Sequence, residues 1–148
     1  MTTEQKIQEI EDQAAIRKLV DSYAYCADTR NAQGQMSLFT EDTRFEVYYD
    51  PKSDMPSQVI INREDLFPVF DNLNTYDTTM HFNGQSTVTI TNDHATGITY
   101  CMAHHLTKEE GGQKFMVAAI RYYDQFVKKD GKWLFAERKL LVDWIENR

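Results

Sequence analysis

An α+β fold, with helices on one face of a curved sheet, is what this sequence predicts. Three observations carry the prediction. Apolar residues at helical spacing fill the opening of the chain. Four long strand-like runs fill everything after residue 78. The separators between those runs, Asn92-Asp93-His94, Lys108 to Gly112 and Lys129-Asp130-Gly131, are short hairpin turns. Helices first and strands later point to an antiparallel meander covered on one side. The 148 residues suit a single domain, 1–148, and no repeat, linker or low-complexity segment divides them.

The elements follow in order. Thr2 or Thr3 caps a first helix over residues 4 to 30, in which Ile7, Ile10, Ala14, Ile16, Leu19, Val20, Tyr23 and Ala27 recur at helical spacing. Asn31 to Gly34 interrupts it, and a short helix spans Gln35 to Phe39. Thr43 to Tyr49 alternates and reads as a strand. Asp50 to Pro56 is a loop by its Pro, Ser and Asp content. Asn62 caps a helix from Arg63 to Leu73, which Pro68 kinks. The four strands are Thr79–Thr91, Ala95–Thr107, Gln113–Lys128 and Lys132–Ile145.

The first hairpin supplies the candidate site. A three-residue turn pairs Val88 with Ile98 and places Ile90, Ile98, Tyr100 and Met102 on one face. A two-residue turn scatters the apolar side chains over both faces, so the apolar match favours three. In that register His81 stands opposite His105, two imidazoles on one face near the end of a sheet, while His104 points to the other face. A register slip exchanges His104 and His105, and a β-bulge would reverse the parity part-way along.

Composition narrows the function. A formal net charge of −7 with no basic patch argues against a nucleic-acid partner. No apolar run reaches the roughly 20 residues of a membrane span. The polar opening, Met1 to Asp12, lacks the apolar stretch of a secretion signal, so the expected compartment is the cytoplasm. Cys26 and Cys101 show no metal spacing and are expected as free thiols; Cys101 shares the predicted face of His81 and is a minor candidate nucleophile. No phosphate loop, nucleophile elbow or dinucleotide fingerprint is present. Asp28 lies at the end of the first helix, where the dipole disfavours a carboxylate, so it needs a compensating partner; nearby Arg30 is one choice and His81 another.

Several stretches, in order, resemble the SnoaL-like branch of the nuclear transport factor two superfamily. They are Ala14 to Val20 leading to Tyr23-Ala24-Tyr25-Cys26-Ala27-Asp28, then Leu38 to Thr43, Thr79-Met80-His81-Phe82, and Arg121 to Val127 running into Asp130-Gly131-Lys132-Trp133. The resemblance implies a cone-shaped α+β barrel of mixed, mainly antiparallel strands around a ligand cavity, in a homodimer or homotrimer. Its dehydratase group matches Asp28, His81 and His105 as catalytic residues and its dehydrochlorinase group matches the Asp28–His81 dyad, with no cofactor and no metal. Two positions depart from the dehydratase pattern: Ala27 stands where that group has a tyrosine, and Tyr122 where it has an asparagine.

The expected activity is that of a cofactor-independent lyase or isomerase, dehydratase- or polyketide-cyclase-like, on a small, largely apolar oxygenated molecule. His81 removes a proton, Asp28 orients it, and His105 donates to the developing oxygen. Tyr23, Tyr25, Tyr48 and Tyr122 are candidate substrate-binding hydroxyls, with Tyr122 preferred over Arg121 as the inward neighbour on its strand. The alternative is a non-catalytic ligand-binding or assembly module with the same cavity.

Overall fold

A computed structural model describes all 148 residues. Helix α1 runs Thr3–Asp28 and α2 Ala32–Met36. Strand β1 is Phe39–Tyr48 and β2 Gln58–Ile61. A short helical segment follows, with α3 at Phe67–Asp71 between single 3-10 turns. Strands β3 (Thr78–Thr91), β4 (His94–Glu109), β5 (Gly112–Lys129) and β6 (Lys132–Asn147) complete the chain. One six-stranded sheet has the order β2-β1-β6-β5-β4-β3. All pairs are antiparallel except β1 with β6, so the curved sheet is mixed and remains open at β2 and β3. This is the expected α+β cone, with the helices against its concave face.

Helix α1 starts with a capping box, in which Thr2 accepts from Gln5 N–H and the Gln5 side chain accepts from Thr2 N–H. Its buried stripe is Asp12, Ile16, Leu19, Val20, Tyr23, Ala24 and Ala27. The expected stripe begins too early: Ile7, Ile10 and Ala14 are exposed, the first two because they precede Asp12, where the buried stripe starts, and Ala14 because it lies on the opposite side of the helix from Asp12 and Ile16. The core joins this stripe to Phe39, Phe45, Phe70, Tyr122, Phe126 and Phe135 from the sheet and α3. Phe39 and Phe135 stack with centroids 4.9 Å apart, and Tyr23 meets both rings edge-on.

Other boundaries differ from expectation. Asn31 does not merely interrupt the helix: its side chain accepts from Gly34 N–H at 2.9 Å, so α2 begins at Ala32. That frees Phe39 to open β1. Strand β2 has too few residues for alternation to reveal it. The expected helix over 63–73 breaks into a 3-10 turn, α3 with Pro68 in its first turn, and a second 3-10 turn. Asn62 sits at φ 84° and makes no side-chain cap.

Hairpin β3–β4 corrects the predicted register. Its turn has two residues, Asn92-Asp93, with Asn92 left-handed at φ 55°, so Thr91 pairs with His94 and Val88 with Gly97. A bulge between Asn83 and Ser86 then reverses the parity of β3, and beyond it Thr79 pairs with His105 and His81 with Ala103. The inward residues are therefore Val88 and Ile90 before the bulge but Asn83, His81 and Thr79 after it. On β4, Thr99, Cys101, Ala103 and His105 face inward throughout, while Ile98, Tyr100 and Met102 face out.

Asp12 clamps α1 to the far end of the sheet. Its Oδ1 accepts from Trp133 Nε1 at 2.9 Å, Lys128 Nζ at 3.0 Å and Gln8 Nε2 at 3.2 Å. Burial by itself raises the carboxyl pKa, but the Trp133, Lys128 and Gln8 hydrogen bonds outweigh it and hold the group below its usual 3.8. Replacing Asp12 by Ala leaves the buried Trp133 indole and the half-buried Lys128 ammonium without an acceptor and should lower unfolding stability by about 1–3 kcal/mol in urea titrations at pH 7. Because the folded pKa lies below the unfolded one, the Asp12 contribution is present above pH 4 and lost as pH falls through the folded value. The difference between wild type and Asp12→Ala should therefore shrink on acidification.

Candidate active site

Asp28 is the last residue of α1, where the outward carbonyls repel a carboxylate. Three hydrogen bonds from β3 compensate. Oδ1 accepts from His81 Nδ1–H at 2.7 Å and from Thr79 Oγ1–H at 3.0 Å, and Oδ2 accepts the His81 backbone N–H at 2.9 Å. Burial raises the Asp28 pKa, but these bonds, His81 first, bring it below the ordinary value. The carboxylate fixes the imidazole with Nδ1 protonated, which leaves Nε2 as the free base.

Arg30 stands behind this pair. It adopts φ 61°, and its Nη1 donates to Ala27 O and to Thr79 Oγ1, both at 2.8 Å. Nη2 donates to Tyr76 O at 3.3 Å. Arg30 is thus not a direct partner of Asp28, one of the two choices read from the chain; it supports the carboxylate through the Thr79 hydroxyl.

A cavity of about 1000 Å³ lies between the sheet and the helices, and 18 of its 26 lining residues are hydrophobic. His81 and His105 both line it, with ring centroids 6.0 Å apart. Since His81 pairs with Ala103, the two histidines meet diagonally across the strands rather than directly. His105 is buried, packs on Tyr76 at 4.7 Å, and its Nδ1–H donates to Met116 O at 3.4 Å. Burial, and then the neighbouring His81, push its pKa below 6.5, so it is a neutral imidazole at pH 7 with its Nε2 lone pair free.

Tyr23 and Tyr122 also line the cavity. Tyr122 faces inward as expected, while Arg121 faces out and pairs with Asp143 at 2.7 Å. Tyr25 and Tyr48 do not contribute. Tyr25 lies two helical residues from Tyr23, on the opposite side of α1, and is 70% exposed. Tyr48 has the outward parity of Glu46, to which its hydroxyl donates at 3.0 Å, and the cavity takes Tyr49 instead. Cys101 is a small core residue: burial pushes its thiol up to about 11, which leaves no thiolate for nucleophilic attack. Cys26 is half-buried and free.

Beneath the cavity floor lies an ion pair that pattern reading missed. Arg138 and Asp124 join through Nε–Oδ1 at 2.9 Å and Nη2–Oδ2 at 3.3 Å, with neither side chain exposed. The guanidinium sits 3.6 Å from the Tyr122 ring centroid and 4.1 Å from that of Tyr23. Trp133 and Phe135 set an inward parity that turns Arg138 outward; an extra residue on β6, opposite Gln125/Phe126, reverses it. No cluster of three or more His, Cys, Asp or Glu has metal-binding geometry.

Converting Thr79 to Val removes one donor to Asp28 and the link to Arg30. The carboxyl titration midpoint of Asp28, followed by carbon NMR, should rise in that variant. An unmoved midpoint would show that the hydroxyl does not support the carboxylate.

Comparison with known proteins agrees with this architecture. The SnoaL-like domain family matches residues 8–139. A provisionally assigned scytalone dehydratase from Novosphingobium aromaticivorans is 22% identical and superposes with a TM-score of 0.81, covering 97% of this chain and 91% of its own. A Mycobacterium tuberculosis protein of unknown function is 25% identical, with a TM-score of 0.76 over 92% of this chain and 74% of its own. A hexachlorocyclohexane dehydrochlorinase, LinA-type3, from Novosphingobium barchaimii is 16% identical, with a TM-score of 0.79 over 97% and 94%. No curated protein matches the chain. No helix is long and apolar enough to cross a membrane. With the domain match spanning nearly its whole length, the chain belongs to the SnoaL-like family.

Proposed function

We propose that the protein is a cofactor-independent lyase or isomerase whose base is His81, acting on a largely apolar molecule that carries oxygen functions. The observation that carries the reading is the 2.7 Å contact between His81 Nδ1 and Asp28 at the wall of an apolar cavity. The dehydratase and dehydrochlorinase among its structural neighbours support the same reaction class.

For a dehydration, His81 Nε2 takes a proton from the carbon next to a carbonyl. The electron pair forms the new carbon–carbon double bond as the carbon–oxygen bond at the neighbouring carbon breaks. The imidazolium, stabilised by Asp28, then protonates the departing hydroxide, and water leaves. This assigns the acid role to the protonated His81. The expected donor role of His105 needs the other tautomer, since its Nδ1–H is given to Met116 O. His105 instead accepts a hydrogen bond from the substrate hydroxyl and orients it. No residue is asked to be both buried and positively charged before the reaction starts.

β-Hydroxytetralone is a suitable probe, because loss of water gives a naphthol whose absorbance reports turnover. His81→Ala should lower that rate at least roughly 10²-fold with an unchanged circular dichroism spectrum, and Asp28→Asn should lower it in the same direction. Near-normal turnover in His81→Ala would remove the base assignment and leave a ligand-binding module.

A homo-oligomer, dimer or trimer, belongs to the same proposal. The outer face of the sheet carries Met80, Phe82, Tyr100, Met102 and Trp144, all more than a third exposed and contiguous across β3 to β6. An apolar patch of that kind calls for a covering surface. Light scattering after gel filtration should give a multiple of the chain mass, and Phe82→Glu with Met102→Glu should reduce it to a monomer. A monomeric wild type would refute the assembly.

A further inference from the structure

The cavity has a second group of polar atoms, well separated from the histidines. On its floor His81 is level with Ala103 and Ala118, whereas Tyr122 is level with Thr99. Four residues along the strands separate these levels, roughly 13 Å. Tyr23 is next to Tyr122, with ring centroids 5.6 Å apart, and Gln35 of α2 joins them in the lining.

Gln35 is the unusual member. It is 2% exposed, yet its side-chain oxygen is among the few buried polar atoms left without a partner. The Tyr23 hydroxyl lies against the Gln35 side chain, whose hydrogen bond offsets a small part of the effect of burial on the phenol, so the group left over is the amide oxygen. Native folds leave few such groups, because a buried amide that has lost its water must find another partner. A methionine of the same length would fill this space without that penalty. The phenols of Tyr23 and Tyr122 beside it both stay protonated. Burial drives Tyr23 up to about 12 and Tyr122 well above 10, so both remain donors.

We infer that Gln35, with the hydroxyls of Tyr23 and Tyr122, forms a second oxygen-binding subsite, which takes a hydroxyl or ketone oxygen at the end of the ligand remote from His81. The amide turns about its last side-chain bond to offer either its oxygen to a hydroxyl or its N–H to a carbonyl. The ligand is then a molecule with oxygen at both ends and an apolar middle. An analogue lacking the remote oxygen leaves the amide unpaired and is discriminated against. The inference rests on the reading of the cavity as a ligand site, but not on His81 being a base.

The test compares β-naphthol with its isostere β-methylnaphthalene, with binding followed by proton–nitrogen NMR of the Gln35 side-chain amide. In the wild-type protein β-naphthol should bind about 10-fold more tightly and shift the Gln35 amide signals. Gln35→Met should reduce the preference below about 3-fold and raise the melting temperature of the unliganded protein, whereas His81→Ala should keep the preference. A preference that survives Gln35→Met but vanishes in His81→Ala would overturn the subsite and leave the dyad reading intact. Failure of β-naphthol to bind, or a lower melting temperature in Gln35→Met, would also overturn it, the latter by showing that the amide supports the fold.

Discussion

A carboxylate at the C-terminal end of a long helix is held by three hydrogen bonds from an edge strand, and the site depends on that contact. The helix alone disfavours Asp28 where it stands. Strand β3 compensates with the Thr79 hydroxyl and with both the backbone N–H and the imidazole of His81. The same bonds dock α1 onto the sheet and fix the His81 tautomer. The contact that joins helix to sheet is thus the one on which the proposed chemistry rests, and Arg30 supports it by holding Thr79 and the backbone near Tyr76.

Irregularities in the strands decide what faces the cavity. A side-chain period of two gives every strand only two choices, and one extra residue exchanges them. The bulge in β3 brings Val88 and Ile90 into the core at one end and His81 and Thr79 into the site at the other. The irregularity in β6 turns Arg138 under Tyr23 and Tyr122, where Asp124 neutralises it. Regular alternation would have put both His81 and Arg138 on the wrong face for the structure observed.

The cavity joins two environments. At one end Asp28, His81, Thr79 and Arg30 make an ordered hydrogen-bonded cluster, with the His105 ring centroid 6.0 Å from that of His81. At the other, two buried phenols and an unpartnered amide oxygen lie over a buried ion pair. The wall between is mostly apolar. Such segregation suits a rigid molecule with separated polar ends better than a small, uniformly polar one. The outer face of the same sheet is apolar for a different reason, since it contributes nothing to the cavity and is left for another surface to cover.

Much of this was legible in the chain. Helical periodicity identified α1, alternation and turn residues identified β3 to β6, and a family motif pointed to the contact of the helix-end Asp28 with the strand residue His81. These follow from local patterns or from short motifs matched to a family. Residue-by-residue placement was not legible: Tyr25 and Tyr48 look as suitable as Tyr23 and Tyr122 until a helix face and a strand parity are known. A two-residue turn puts Val88 and Ile90 on the opposite face from Ile98, Tyr100 and Met102, and the folded sheet accommodates both sets: the first packs on the core and the second lies on the outer face. The sequence by itself determined the long first helix and the four long strands, and with a family motif it put Asp28 together with His81, because periodicity and short motifs are local properties of the chain. Only the tertiary structure decided the diagonal placement of His105, the buried Arg138 and the unpartnered Gln35 oxygen, because bulges, helix docking and enclosure arise between segments far apart in the chain.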